Sequence, residues 1–199
     1  MANDAWTTVP SLSGEHVRLV PLEPGHATGL GLAAADGALW NIHYTSIPRP
    51  EEAASYVASA LDMQAAGKAL AFAVLDAAGE VVGSTRFYQL EAGVPRLAIG
   101  YTWYAARVQR TALNTEAKRL LLSQAFDAMG CAAVSFETSH LNLRSQAAIQ
   151  RLGARLDGVL RAHLRHRDGS LRDTHVYSIL DSEWPEVRAR LDSLPGGGA

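Results

Sequence analysis

Residues 96–122, reading RLAIGYTWYAARVQRTALNTEAKRLLL, constrain this chain more than any other stretch, because they set a strand, a basic loop and a long helix in immediate succession. From Leu97 to Tyr104, aliphatic and aromatic residues run on without a helical period, which favours a largely buried strand. Leu113, Ala117, Leu120, Leu121 and Gln124 then recur at helical spacing, with Glu116 in the first turns. Between them lie Arg107, Val108, Gln109, Arg110 and Thr111. A strand that feeds a basic loop opening a helix aims free N–H groups and the positive helix end at whatever lies in front of them, which is an anion site. The loop carries neither Gly-Lys-Ser/Thr nor G-x-G-x-x-G.

The rest of the chain can be placed around this unit. Residues 1–13 read as an extended arm, and 16–22 alternate as a first strand. Residues 24–40 predict a glycine-interrupted, alanine-rich helix, and Pro50-Glu51-Glu52 opens a second helix that runs to residue 66. Alternating stretches at 70–76 and 80–90, joined by short glycine turns to each other and to the central strand, predict an antiparallel meander of three strands. After the central helix, which Met129-Gly130 closes, residues 132–140 form a strand parallel to the central one, since a helix crosses between them. A short helix starts at Asn142 and ends at Gly153, residues 155–167 and 170–180 make a hairpin about Asp168-Gly169, and Ser182-Glu183-Trp184-Pro185 opens a last helix to residue 194.

Composition bounds the function classes. A chain of 199 residues, 48% hydrophobic and 19% charged, is an ordinary globular domain with one core, here 1–194 with a flexible tail at 195–199. A net charge of −2 gives no global pull toward nucleic acid, so any anion site is local. The single cysteine, Cys131, excludes an internal disulfide framework and fits the cytoplasm; no apolar run is long enough for a membrane span. The seven histidines show no metal-ligand spacing.

The segment Gln109-Arg110-Thr111-Ala112-Leu113-Asn114 resembles the pyrophosphate loop of the GNAT N-acetyltransferase superfamily, Gln/Arg-x-x-Gly-x-Gly/Ala, with Ala112 and Asn114 at its two small positions. The element order is also the GNAT order over residues 16–191. The resemblance is closest to the RimJ/RimL-like branch, through WYAARVQRTALNTEAK at 103–118, Asn142-Leu143-Arg144-Ser145-Gln146 followed by Leu152-Gly153-Ala154, and the closing Arg172-Asp173-Thr174, Tyr177-Ser178-Ile179-Leu180 and Glu183-Trp184-Pro185. It implies a mixed α/β (α+β) fold: a mostly antiparallel seven-stranded sheet with two splayed parallel central strands and helices on both faces.

It also implies an acetyl-CoA-dependent N-acetyltransferase in which a primary amine, a protein N-terminal α-amine or a small amine, attacks the thioester directly in a ternary complex. The residues Val108, Gln109, Arg110, Thr111, Ala112, Leu113 and Asn114 would then cradle the diphosphate, with Arg110 as side-chain cation. Tyr101, Thr102 and Trp103 would line the pantetheine arm; the two aromatics also read as plain core residues. Asn142 would hydrogen-bond the pantetheine amide, although asparagine is equally a preferred helix cap. Most superfamily members place a tyrosine four residues beyond the Ser145 position to protonate the thiolate, where this chain has Ile149, so Ser145 is the residue implied at the sulfur.

The base is open between Glu137, His43 and Asp157, with a water chain as the alternative. An α-amine needs it least, since a lysine ε-amine costs roughly 3 kcal/mol more to deprotonate at pH 7. Two rivals remain: a non-catalytic CoA-binding module of the same fold, and a nucleotide-binding domain with an unrelated loop. No metal, nucleic acid or membrane partner is expected. The oligomeric state stays open, a homodimer included.

Overall fold

The structure is a computed structural model that describes residues 4–194. The tail expected at 195–199 and the first three residues of the expected arm lie outside the described residues.

One open sheet carries the fold, in the strand order β1-β2-β3-β4-β5-β6-β8-β7. Its strands are β1 Leu12–Ser13, β2 Val17–Pro21, β3 Ala69–Asp76, β4 Val81–Glu91, β5 Arg96–Tyr104, β6 Ala133–Ser139, β7 Arg155–Arg165 and β8 Leu171–Leu180. Every neighbouring pair is antiparallel except β5 and β6. The sheet therefore has eight strands where the sequence predicts seven, because part of the expected extended arm pairs with β2 at Leu12↔Leu19 and Ser13↔Arg18. A two-residue strand carries no period to read. Buried residues run without a break from Ala69 to Val74 in β3, as they must when both faces of a sheet are covered. Helices α1 (Ala27–Ala35) and α2 (Ala53–Ala65) pack on β4 and β3, while α3 (Ala112–Ser123) packs against β1, β2 and α5 (Trp184–Asp192).

Three local features shape the region in front of α3. The helix expected over 24–40 is broken: α1 stops at Ala35, and Gly37 and Ala38 follow with φ of 86° and 49°, left-handed values that no helix continues through. The break leaves Asp36 to accept the Arg107 N–H at 2.9 Å and, through its carbonyl, the Ala106 N–H at 3.3 Å. At the start of α3, Thr111 Oγ1 accepts the Leu113 N–H and donates to the Val108 carbonyl. Helix α4 (Leu143–Leu152) is capped by Asn142, whose Oδ1 accepts the Ser145 N–H at 3.1 Å, and is closed by Gly153 at φ 110°.

The third feature is a bulge. Between β4 and β5 the register runs Ser84↔Trp103 and then Arg86↔Gly100, so Tyr101 and Thr102 oppose Thr85 alone. Tyr101 takes φ 53° to accommodate the extra residue. The Arg86 guanidinium lies over the Tyr101 ring at 4.4 Å and the Tyr56 ring at 4.8 Å, and the Thr85 and Thr102 hydroxyls meet at 2.7 Å. A bulge bends and twists its strand. Here β5 turns away from β6 just where it occurs: the parallel pairing holds at Arg96↔Ala133, Leu97↔Val134 and Ala98↔Ser135 and goes no further, while β6 stays paired with β8 as far as Ser139↔Thr174.

Candidate active site

The gap left by the diverging strands opens into a cleft of about 1210 Å³. It is lined by the loop before α3, the start of α4, residues 42–47 and the β7–β8 hairpin. Of the residues singled out from the sequence, Tyr101, Thr102, Trp103, Gln109, Arg110, Thr111, Asn114, Asn142, Ser145, Glu137 and His43 line this one cleft. Val108, Ala112 and Leu113 line a shallower depression beside His16 and Asp76 instead.

The main-chain donors expected over 108–114 are fewer than the sequence implies. The N–H groups of Val108 and Gln109 are consumed by a tight turn onto Ala105 and Ala106, and that of Leu113 by Thr111. Those of Arg110, Thr111 and Ala112 have no acceptor among the described residues. They form the open helix end that suits an anion. Arg110 takes the left-handed conformation of this loop, at φ 63°, and Ala112 does not, so the departure from glycine at position 112 creates no strain. Arg110→Gly is expected to leave stability within about 1 kcal/mol, relief of the strained φ offsetting the added unfolded-state freedom, while CoA affinity falls about tenfold with the guanidinium. Thermal unfolding and calorimetric titration of the same variant check both halves.

Charge in the cleft is one-sided. Arg110, Arg144, Arg151, Arg165, Arg167 and Arg172 line it against a single carboxylate, Glu137, and none of the six makes an ion pair among the described residues. Glu137 accepts from Gln89 Nε2 at 3.0 Å and borders Tyr88, whose phenol is pushed up by burial and then by that carboxylate. Tyr88 therefore stays protonated and holds Glu137 as an acceptor. Asp157, expected at the cleft, is not there. It is the extra residue where β7 opposes β8 by Leu156↔Tyr177 and then Gly158↔Val176, and its carboxylate accepts from Ser178 Oγ at 2.9 Å. Trp103 combines both readings given to it, with Nε1 donating to Tyr56 Oη at 3.2 Å while the residue lines the cleft.

Lys118 is a site residue that sequence reasoning missed. It is only 7% exposed, its Nζ donates to Thr102 Oγ1 at 2.9 Å behind the bulge, and the Phe136 ring lies 5.8 Å away. Burial pushes its amine down to about 7, and no carboxylate pairs with it among the described residues. The available signal was its place four residues after Asn114, one turn along the helix face that opens the anion site. Cys131 is buried, which pushes its thiol up to about 12 and leaves it an inert packing residue. Among the described residues no group of three or more His, Cys, Asp or Glu side chains could hold a metal ion, and no helix is long and apolar enough to cross a membrane.

A bulged strand diverging from its parallel neighbour, with a basic helix start beside the gap, defines a mixed α/β domain with a cleft built for an anionic ligand. Comparison agrees: a sequence family described as an acetyltransferase (GNAT) domain matches residues 16–155, and the chain belongs to that family. The fold is also that of a GCN5-related N-acetyltransferase from Brucella melitensis, at 28% identity and a TM-score of 0.83 over 94% of this chain and 85% of that one. Mycobacterium smegmatis RimJ, in complex with CoA-disulfide, is similar at 20% identity and a TM-score of 0.76 over 94% of each chain. RimL, a ribosomal L7/L12 alpha-N-protein acetyltransferase in complex with coenzyme A, is similar at 15% identity and 0.73 over 86% of this chain and 98% of that one. Among curated proteins, none matches the sequence.

Proposed function

We propose that this protein transfers the acetyl group of acetyl-CoA to a primary amine, in the manner of the RimJ/RimL-like branch, by direct attack in a ternary complex. The observation that carries this reading is the opening of β5 from β6 beyond Ala98↔Ser135 into a cleft lined by the loop before α3 and by arginines that make no ion pair among the described residues. A polyanionic tail with an extended thiol arm is the shape and charge that such a gap accommodates.

The diphosphate would rest on the Arg110, Thr111 and Ala112 N–H groups, with Asn114 beside them. The thiol arm would follow Tyr101, Thr102 and Trp103, whose edges toward β6 have no strand to pair with. Asn142 caps α4 through Oδ1, which leaves its amide N–H groups for the arm, so capping and cofactor contact coexist. Ser145 lies in the first turn of α4 and lines the cleft, and its hydroxyl would donate to the departing thiolate where Ile149 has none to offer. Glu137 draws the acceptor ammonium into an otherwise cationic cleft and is one candidate for its proton.

Free-thiol release from acetyl-CoA, measured across a panel of amines and N-terminal peptides with mass spectrometry of the products, tests the reading. Amine-dependent release together with an added acetyl group supports it. CoA binding without such release would instead identify a CoA-binding module of the same fold. Ser145→Ala is expected to lower kcat about 10- to 100-fold while KM for acetyl-CoA moves less than about twofold, the pattern of an interaction made only in the transition state.

A further inference from the structure

Where the β7–β8 hairpin lines the cleft, a buried histidine stands in a continuous hydrogen-bonded chain. His166, 7% exposed, places Nε2 2.9 Å from Ser139 Oγ and Nδ1 2.9 Å from Ser170 Oγ. Ser170 Oγ in turn donates at 2.6 Å to Asp168 Oδ1, which also accepts the Ser170 N–H at 3.0 Å. Asp168 is exposed, with His43 Nε2 3.7 Å from its other oxygen.

Proton counting fixes the direction of every bond. Ser170 has one hydroxyl proton, committed to the carboxylate, so its oxygen accepts from His166 Nδ1–H. The other ring nitrogen is then the bare acceptor, and Ser139 must donate to it. Ser139 Oγ also accepts the Leu141 N–H at 3.1 Å, which leaves one lone pair for the cleft that both Ser139 and His166 line.

Resting on the acetyltransferase reading above, we propose that Ser139 and His166 receive the proton of the acceptor amine and that Ser170 and Asp168 pass it to solvent. The amine nitrogen bonds to the thioester carbonyl carbon, the carbon–sulfur bond breaks, and its electron pair leaves on sulfur. Ser139 Oγ takes the amine proton as it gives its own to His166 Nε2. The Nδ1 proton moves through Ser170 to Asp168 and water, and the thiolate is reprotonated from Ser145 and solvent. Burial holds the imidazole below its ordinary range; Asp168 opposes this, while His140, His43 and Arg172, which also face it, act in the same sense as burial. This favours the neutral ring, which is the form that can accept the proton. The sequence concealed this chain because Ser139 and His166 meet only through the pairing of β6 with β8 and the turn after β7.

The test is kcat against pH with one fixed amine for the wild type, His166→Gln, Ser139→Ala and Glu137→Gln. The wild type is expected to show an acid limb with an apparent pKa below the ordinary imidazole value. His166→Gln and Ser139→Ala each lose about 100-fold in kcat, His166→Gln also loses that limb, and KM for acetyl-CoA stays within about twofold in both. If His166→Gln fails to fold, Ser139→Ala carries the test through its proton inventory in mixed H2O and D2O, bowed in the wild type and linear in the variant. Retention of kcat and the acid limb in His166→Gln, with their loss in Glu137→Gln, would overturn the relay and leave acetyl transfer standing. So would an acetyl ester on Ser139, since the hydroxyl would then be a nucleophile. Absence of amine-dependent thiol release in the wild type would instead remove the reading on which the relay rests.

Discussion

Glu116→Ala is expected to lower the unfolding free energy by about 4 kcal/mol and the melting temperature by about 10 °C. The side chain is fully buried (0% exposed), and its two oxygens accept the Glu15 N–H at 2.8 Å and the His16 N–H at 2.7 Å, a hundred residues away in sequence. These bonds tie α3 to the turn between β1 and β2. The fit is close enough that a Cβ on Gly14 would come within 2.3 Å of the Glu116 carboxyl carbon. Charge-assisted bonds of this kind contribute roughly 1.5–3 kcal/mol each, and alanine would leave both donors without an acceptor. Glu116→Gln keeps the volume and one acceptor but turns an amide N–H toward the second donor, so an intermediate loss of about 2 kcal/mol is expected. Urea unfolding of the two variants checks the order. A loss below about 1 kcal/mol in Glu116→Ala would show that water replaces the carboxylate and that the tie is not structural. Because this carboxylate fixes the helix whose N-terminus opens the cleft, the variant is also expected to bind CoA more weakly.

Glu116 shows where sequence reasoning stops. An acid in the first turns of a helix reads as a partner for the helix dipole, and nothing in its neighbours says that it is swallowed by a turn from the other end of the chain. Periodicity served well for whole elements: the strand expected over 80–90, the apolar stripe of α3 and the Asp168-Gly169 turn all correspond to what forms. It failed at single residues. The bulge that opens the cleft is one extra residue, and Tyr101 carries no mark of a left-handed conformation, which a tyrosine ordinarily avoids. Asp157, one of three candidate bases, lies at an irregularity in β7 and bonds Ser178 instead of lining the cleft. Lys118 falls one position off the stripe of Leu113, Ala117 and Leu121, so the apolar period does not mark it as buried. Its burial follows only from the divergence of β5 and β6, which gives the side chain a gap to occupy. Resemblance supplied what periodicity could not, the gap itself, and the structure supplied the cause of the gap.

Lys118 carries the second large effect, and its sign reverses between stability and binding. The amine is held at about 7 when folded, against 10.5 for an unburied lysine. Between those values the folded protein binds fewer protons than the unfolded chain, so stability rises as pH climbs from about 7 to about 10.5. Below about 7 both states are charged, and the contribution is flat at its least favourable. The whole interval corresponds to about 5 kcal/mol, an upper bound given the Thr102 hydroxyl and the Phe136 ring that remain to solvate the charge. Lys118→Met keeps the length and apolar stem, and is expected to raise stability at pH 7 by about 3 kcal/mol and to abolish the rise. Cys131, pushed up by burial, runs the other way above about pH 9, losing stability as pH rises toward its folded value of about 12; the wild-type minus Lys118→Met difference isolates the lysine. In the presence of CoA the balance inverts. Asn114 and Lys118 share a helix face, so a phosphate at the start of α3 draws the amine toward its charged form, and the wild type takes up a proton on binding at pH 8. Calorimetry in buffers of different ionisation enthalpy reads that uptake directly. Lys118→Met is expected to show none and to bind about tenfold more weakly, whereas superimposable stability curves from pH 6 to 10 together with equal proton uptake would mean that Lys118 is solvated and charged in the free protein.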